Sequence, residues 1–443
     1  MTNVADVPPV QVQTKPPSRP SISGLIAKTE VDLRLFGMLV ALAVILLAFD
    51  IISGGQMISP TNMVTLSVQA TGIAIIATGM GMVIVSRNID LSVGSLVGFV
   101  AMSYALLMTD WFPNILHLPA DFPFTWLLAL AIGVAIGAAF GALQGFIIAY
   151  IGVPSFIVTL GGLLSIRGLV WYLSNGAAVS GLDPTFQLIG GGAAGSMGAT
   201  LTWGVGVVGC IAIVWFLITA RRQRRRFEFP VRPMWAEVVI GVVGSLAILG
   251  LAAFANANYW PEGLASQYAA AHPEIVVPDG GLQISTGFPY PIVLLIGVTI
   301  VMSWIAKRRR FGRFVYAYGG NPDAATLAGI NTRWTIMKTY IVMGILCALA
   351  AAVAAARLNG STLDVGQSYE LYVIAAAVVG GTSFAGGTGS IAGAVVGAFV
   401  MQSIAYGLSF NGVNSPGQNV VAGIVLILAV GFDAWNRRRS HNS

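Results

Sequence analysis

The sequence is poor in charged residues, cysteine and histidine. Only 9% of its 443 residues are Asp, Glu, Lys or Arg, whereas soluble domains carry roughly 25%. So few charges cannot cover a surface that faces water, which excludes a soluble enzyme. Cys210 and Cys347 lie far apart in apolar stretches, as buried free thiols do. The three histidines share no spacing that a metal site requires, and we predict that the chain binds no metal or cofactor.

Apolar runs are abundant instead, since 56% of the residues are hydrophobic. A membrane-spanning helix needs about 20 mostly apolar residues, and windows of that length recur along the chain. The sequence therefore predicts an all-α integral membrane protein, a polytopic bundle of 10–12 transmembrane helices of which some are broken by glycine. The predicted crossings are residues 35–53, 63–85, 91–108, 126–150, 156–174, 201–220, 238–256, 290–306, 338–356, 371–387, 390–409 and 419–434.

Glycine indicates both close packing and a break. Gly133, Gly137, Gly141 and Gly145 recur every four residues, so they share one helix face and allow another backbone to approach closely. Residues 380–387 are too rich in glycine to form a regular helix. This run predicts an interruption inside the last apolar part of the chain.

Positive charge predicts the orientation. If the N-terminus is cytoplasmic, 20 of the 23 Lys and Arg residues face inward, and the predicted outer loops hold only Arg357 beside eight acids. This asymmetry follows the positive-inside rule and places both termini in the cytoplasm. The basic run 221–226 then anchors a helix end at anionic lipid, and we expect no nucleic-acid partner.

The domain organisation follows from the same reading. Residues 1–32 are polar and proline-rich and indicate a disordered cytoplasmic tail. Residues 33–436 form a single transmembrane domain with a cytoplasmic loop at 307–337, and residues 437–443 form a basic cytoplasmic tail.

Several polar residues fall inside or beside the apolar spans, where irregular backbone and charge need a buried or watery setting. For Asp90, capping of the helix that follows and a place beside a pathway both stay open. For Arg167, a structural ion pair and contact with a substrate stay open. The candidates to line a translocation path are Asn88, Asp90, Ser92, Arg167, Asn359, Thr382 and Ser383.

The loop 307–337 contains the signals of one short helix. Asn321 suits an N-cap, Pro322 the first helical position, Asp323 the positive end of the helix dipole, and Gly329 the stop. A helix of about two turns is unstable alone in water. It must rest on the inner surface of the bundle or insert into a partner protein.

At this loop the chain resembles a known family. Residues 312–331 resemble the coupling loop of monosaccharide ABC-importer permeases of the ribose, arabinose and xylose type, and residues 90–95 and 380–389 agree with that family's motifs. The resemblance covers about residues 35–435. It is nearest to the D-xylose permeases, which share the long segment between residues 175 and 305. One departure is Arg87-Asn88-Ile89, where Gly-Gly-Ile is more usual.

The resemblance implies a homodimeric permease in the inner membrane, in contact with membrane lipid. Its partners would be a cytoplasmic ABC ATPase subunit, which binds the ATP, and a periplasmic sugar-binding protein. The residues implied to couple to the ATPase are Gly319, Gly320, Asn321, Pro322, Asp323, Ala324, Ala325, Leu327 and Gly329.

Three functions compete at this stage. An ATP-driven sugar importer needs a separate ATPase, because no lysine of this chain follows the glycine pattern of a phosphate-binding loop. An ion-coupled secondary sugar carrier usually needs ionisable groups within the membrane, where only Asp50, Asp90 and Arg167 come near. A membrane enzyme is disfavoured because no cluster of catalytic residue types is spaced suitably.

Overall fold

The computed structural model describes residues 33–119, 122–275 and 277–441. The tail predicted over residues 1–32 lies outside these ranges, as do Asn442 and Ser443. The described chain is mainly helical, with one small sheet. In chain order the elements are α1 (Leu33–Ile52), α2 (Pro60–Val85), α3 (Val93–Leu106, continued by a π-helix over Leu107–Ile115), α4 (Thr125–Phe146, continued by a π-helix over Ile147–Ile151), α5 (Ser155–Ser174), β1 (Val179–Ser180), α6 (Pro184–Gln187), α7 (Gly198–Arg226), α8 (Met234–Asn256), α9 (Glu262–Ala271), α10 (Tyr290–Arg308), α11 (Arg310–Gly320), α12 (Pro322–Leu327), α13 (Thr332–Leu358), β2 (Gly360–Ser361), α14 (Tyr369–Val379), α15 (Ile391–Phe410) and α16 (Ser415–His441).

Within the described residues, ten helices are long and apolar enough to cross a membrane, and two shorter apolar segments lie at Tyr369–Val379 and Ser415–Gly431. The predicted polytopic helical fold is confirmed. The interruption predicted over 380–387 is confirmed, and the crossing predicted over 371–387 is too long by these residues, because α14 ends at Val379. Glycines with positive φ follow it, among them Gly381 and Gly386, and such backbone cannot continue a helix.

Internal contacts divide the chain into two compact units. The smaller one is described at Leu33 and over Val207–Leu249, and in the second range the facing parts of α7 and α8 form an antiparallel pair. There the Sγ of Cys210 lies 3.7 Å from the carbonyl oxygen of Ser245, and Arg221 forms an ion pair with Glu237 at 2.6 Å. The single domain expected over 33–436 stays a prediction.

The larger unit is built around α2, which packs against α10, α13, α14 and α15. Helix α13 also packs along α4, and glycines of α4 make this possible. A methyl group at Gly137 would collide with the carbonyl oxygen of Gly344, and one at Gly141 with that of Tyr340. The predicted glycine face is therefore a helix-packing face. Such close backbone approach fixes α13, whose 27 residues extend about 40 Å.

Candidate functional site

The short helix of the loop forms where the sequence predicts it. The Oδ1 of Asn321 accepts a hydrogen bond from the N–H of Ala324 at 3.0 Å, which caps the start of α12. At the other end, Gly329 has a φ of +78°. The N–H groups of Gly329 and Ile330 donate to the carbonyls of Thr326 and Ala325 at 3.0 and 3.1 Å. These two bonds form a Schellman motif, which satisfies the last carbonyls of the helix.

Two side chains of α12 differ strongly in solvent exposure. Ala325 is only 4% exposed and packs inward, whereas Leu327 is 89% exposed. Such a short helix gains little stability from its own hydrogen bonds. It is held on one side by the bundle and offers an apolar side chain on the other.

A junction of three chain segments lies directly before α12. The Nε of Arg87 donates to the carbonyl oxygen of Gly319 at 2.7 Å, and its Nη2 donates to that of Gly320 at 2.9 Å. The final carbonyls of a helix have no partner within the helix, so the guanidinium caps α11. The N–H of Gly387 donates to the carbonyl oxygen of Val85 at 2.9 Å. We call these five residues the junction.

Sequence reasoning missed the role of Arg87 in the junction and noted it only as a departure from the family pattern. A further contact joins α11 to the same glycine-rich run, because the hydroxyl of Tyr316 donates to the carbonyl oxygen of Gly389 at 3.0 Å. The ends of α2 and α11 and the run after α14 are thus tied together by hydrogen bonds.

Asp90 lies in the loop between α2 and α3 and is 3% exposed. Its Oδ1 accepts from the N–H of Ser92 at 2.9 Å and from the hydroxyl of Ser92 at 2.7 Å. Gln144 of α4 donates from Nε2 to the Ser92 hydroxyl oxygen at 2.9 Å. Burial raises the pKa of Asp90 to about 6, although both hydrogen bonds from Ser92 oppose the rise. The carboxyl group therefore supports the backbone that leads into α3.

The other predicted path residues have mainly structural partners. Asn88 donates to the carbonyl oxygen of Ser86 at 2.8 Å. Arg167 donates from Nη1 to the carbonyls of Leu363 and Val365 at 2.9 and 3.2 Å. Both acceptors are main-chain oxygens, and the two alternatives for Arg167, an ion pair and contact with a substrate, stay predictions.

Asn359 ends α13 with a φ of +50°, and its Oδ1 accepts from the N–H of Leu182 at 2.9 Å. Thr382 is fully buried, and its Oγ1 has no hydrogen-bond partner among the described residues. Ser383 accepts from the N–H of Ala385 at 3.3 Å within the glycine-rich run. Of the seven residues, Asp90 and Ser92 are bonded to each other, whereas the partners described for Asn88, Arg167, Asn359 and Ser383 lie outside the set. The part of all seven in a path stays a prediction.

A polar cavity of about 360 Å³ lies between α2, α13, α14, α15 and α16. It is next to the last two turns of α13, whereas the loop that contains α12 leads into the first turn. The Nε2 of Gln402 donates to the Oε1 of Gln69 across the cavity wall at 3.0 Å. Sequence reasoning missed both glutamines. The available signal was an uncharged amide inside each of two apolar spans, where polar side chains usually bond between helices.

Over the described ranges, no three His, Cys, Asp or Glu side chains come close enough to hold a metal ion. The site is thus composed of amides, hydroxyls, main-chain groups and a few charges. Its features divide between the two ends of α13, with the junction and α12 at one end and the polar cavity at the other.

Comparison with known proteins assigns the chain to a family. It matches the family described as "Branched-chain amino acid transport system / permease component" over residues 62–185 and 192–430. The chain belongs to this permease family. The permease is 33% identical to the xylose transport system permease protein XylH of Escherichia coli, over 98% of this chain and 99% of that protein. It is also 33% identical to XylH of Haemophilus influenzae, over 92% and 98% of the two chains.

A third relative is the galactose/methyl galactoside import permease protein MglC of Escherichia coli. It is 28% identical over 91% of the permease and 95% of its own length. No solved structure matches. The resemblance to sugar-importer permeases that the sequence motifs indicate is thereby confirmed.

Proposed function

We propose that this permease is the membrane subunit of an ATP-binding cassette importer that carries a monosaccharide, D-xylose or a related pentose, across the inner membrane. Two copies would form the pathway, with both termini in the cytoplasm. A separate ATPase subunit would bind the ATP, and a periplasmic binding protein would deliver the sugar. The names of the XylH and MglC relatives support a sugar as the substrate.

Helix α12 is the observation that carries this proposal. It exposes Leu327 and has a defined start and stop, so it offers a small rigid surface to a partner. Asn331 follows it and caps α13 by accepting from the N–H of Trp334 at 2.9 Å. Closure of the ATPase subunits would move α12, and the junction and α13 would carry this motion to the rest of the bundle.

The coupling surface is proposed to comprise residues 319–325, Leu327 and Gly329, and the seven polar residues from Asn88 to Ser383 stay candidates for the path. Substitution of each path candidate by alanine tests whether these residues line the path. If all seven variants import sugar normally, the path lies elsewhere.

The primary test is to co-express the permease with its neighbouring genes, purify it in mild detergent and identify the bound proteins by mass. An ATPase with a phosphate-binding loop should co-purify, and Leu327→Asp should reduce its recovery at least tenfold. Leu116→Asp is the matched control, since Leu116 is also an exposed leucine but lies in the loop after α3. A permease that stays alone and carries sugar under an ion gradient in liposomes would instead be a secondary carrier.

A further inference from the structure

The polar cavity differs chemically from its surroundings. Its wall combines four glutamines with two tyrosines, a serine and an arginine, whereas the helices around it are rich in Ala, Val and Ile. The glutamines are Gln69, Gln367, Gln402 and Gln418. Uncharged amides that converge from three helices and one turn in an apolar bundle cost free energy unless they bind something polar.

The hydrogen bond between Gln402 and Gln69 uses only part of what these amides offer. Each amide has two N–H donors and an acceptor oxygen, and one donor and one acceptor are paired between them. Neither side chain has another hydrogen bond within the described part of the chain, and neither leaves a fully buried unpaired atom. The remaining donors and acceptors therefore reach the cavity.

We propose that this cavity binds the transported molecule, and that its ligand is a neutral polyhydroxylated compound of monosaccharide size. This inference rests on the proposed function, because it identifies the substrate class of the same transport path. Each sugar hydroxyl both donates and accepts a hydrogen bond, which matches a wall of amides and phenols. The volume is near the lower limit of about 300 Å³ for ligand pockets.

The composition of the wall also argues against two other ligands. No carboxylate is among the described residues that line the cavity, so the ammonium group of a free α-amino acid would find no anionic partner there. A coupling cation would need the same groups. The single charge of the wall is the guanidinium of Arg357, which donates hydrogen bonds only.

The position of the cavity along α13 fits delivery of the sugar from the face opposite α12. The cavity lies beside residues 350–357 of α13, about 27–38 Å along the helix from its start at Thr332. If α12 faces the ATPase, the cavity lies toward the opposite face, where a sugar would enter.

The test uses the full transporter complex with both native cysteines replaced by alanine. Ser415→Cys places a thiol at the cavity wall with almost no change in size. Its labelling by a small water-soluble thiol reagent is then followed with D-xylose, with L-leucine or with neither. We expect 100 mM D-xylose to slow labelling at least threefold and L-leucine to have no effect. Ser409→Cys is the matched control, since Ser409 is an exposed serine at the end of α15 that does not line the cavity.

A second substitution separates occupancy of the cavity from a distant change of shape. Gln402→Leu, combined with Ser415→Cys, should abolish the protection by D-xylose while the ATPase still co-purifies. If that variant does not assemble, Gln367→Leu gives the same test, because Gln367 lines the cavity but is exposed. Protection that survives in the assembled variant overturns the inference.

The experiments distinguish a failure of the cavity inference from a failure of the proposed function. If the complex imports sugar but D-xylose never protects the Ser415→Cys variant, the cavity inference is wrong and the proposed function stands. If L-leucine protects and D-xylose does not, the ligand class is wrong. If no ATPase binds and no sugar is imported, the proposed function itself has failed.

Discussion

The Nε of Arg87 and the carbonyl oxygen of Gly319 are 2.7 Å apart, although 232 residues separate them in the sequence. This bond and its companion to Gly320 tie the loop after α2 to the residues that directly precede α12. The junction therefore provides a short physical connection from the proposed ATPase contact to the most buried helix of the bundle.

Arg87→Gln should uncouple ATP hydrolysis from transport. Glutamine has no charge and cannot donate to both carbonyls in the fork geometry of a guanidinium. A hydrogen bond to a charged group contributes about 1.5–3 kcal/mol, and the lower figure applies to this partly exposed pair. We expect sugar uptake in proteoliposomes to fall about tenfold while the ATPase remains bound and active.

Arg310→Gln is the control for this prediction, since Arg310 is an exposed arginine at the start of α11. Arg87→Lys should be intermediate, because it keeps the charge but loses the fork. Normal uptake by Arg87→Gln at a normal ratio of ATP hydrolysed to sugar imported would show that the junction is not part of the coupling route.

The close approach at Gly319 gives a prediction on stability. A methyl group there would collide with the carbonyl oxygen of Val85 and lie 2.6 Å from the N of Gly387, whereas at Gly320 it would meet nothing within 4 Å. Overpacking of this kind costs about 1–3 kcal/mol. Gly319→Ala should therefore lower the thermal unfolding midpoint in detergent by several degrees, and Gly320→Ala should leave it unchanged. Equal midpoints for the two variants would contradict the packing at the junction.

The parts of the fold that the sequence predicts well depend on local signals. Helix α12 forms as expected because Asn321, Pro322 and Gly329 act within a few residues of one another. The spans form because lipid requires long apolar helices.

The junction and the cavity are harder to predict because their contacts are long-range. Gln69 and Gln402 are 333 residues apart, and no local pattern indicates that their amides meet. The extent of α14 was mispredicted for a different reason. Residues 380–387 carry no charge, so the uncharged window extends past Val379 although the backbone at Gly381 is no longer helical.

The buried carboxyl group of Asp90 gives a prediction on pH. Its pKa is raised from an ordinary value of 3.8 to about 6, so the folded protein binds this proton more tightly than the unfolded chain does. Stability from this group is thus greatest below pH 4 and is lost as the pH rises to 6, by at most about 3 kcal/mol. Asp90→Asn keeps an acceptor for Ser92 but cannot ionise.

The measurement is thermal unfolding in detergent between pH 4 and pH 7 for both proteins. The wild type should lose stability relative to Asp90→Asn across this range, and the difference should level off above pH 7. All other carboxyl groups are shared, so parallel curves would mean that Asp90 does not titrate in this window.

The stop of α12 at Gly329 gives the sharpest test of whether α12 transmits motion from the ATPase. Gly329 has a φ of +78° and open space around its Cα, so only backbone strain opposes a side chain there. Asparagine tolerates this left-handed conformation, whereas β-branched valine is strained by about 1–2 kcal/mol. Gly329→Val should disturb the Schellman motif and uncouple transport, with uptake reduced severalfold per ATP hydrolysed, and Gly329→Asn should behave nearly as wild type. Equal loss in both variants would mean that any side chain at this position blocks the ATPase contact. Normal coupling in Gly329→Val would show that transport does not require this ending of α12.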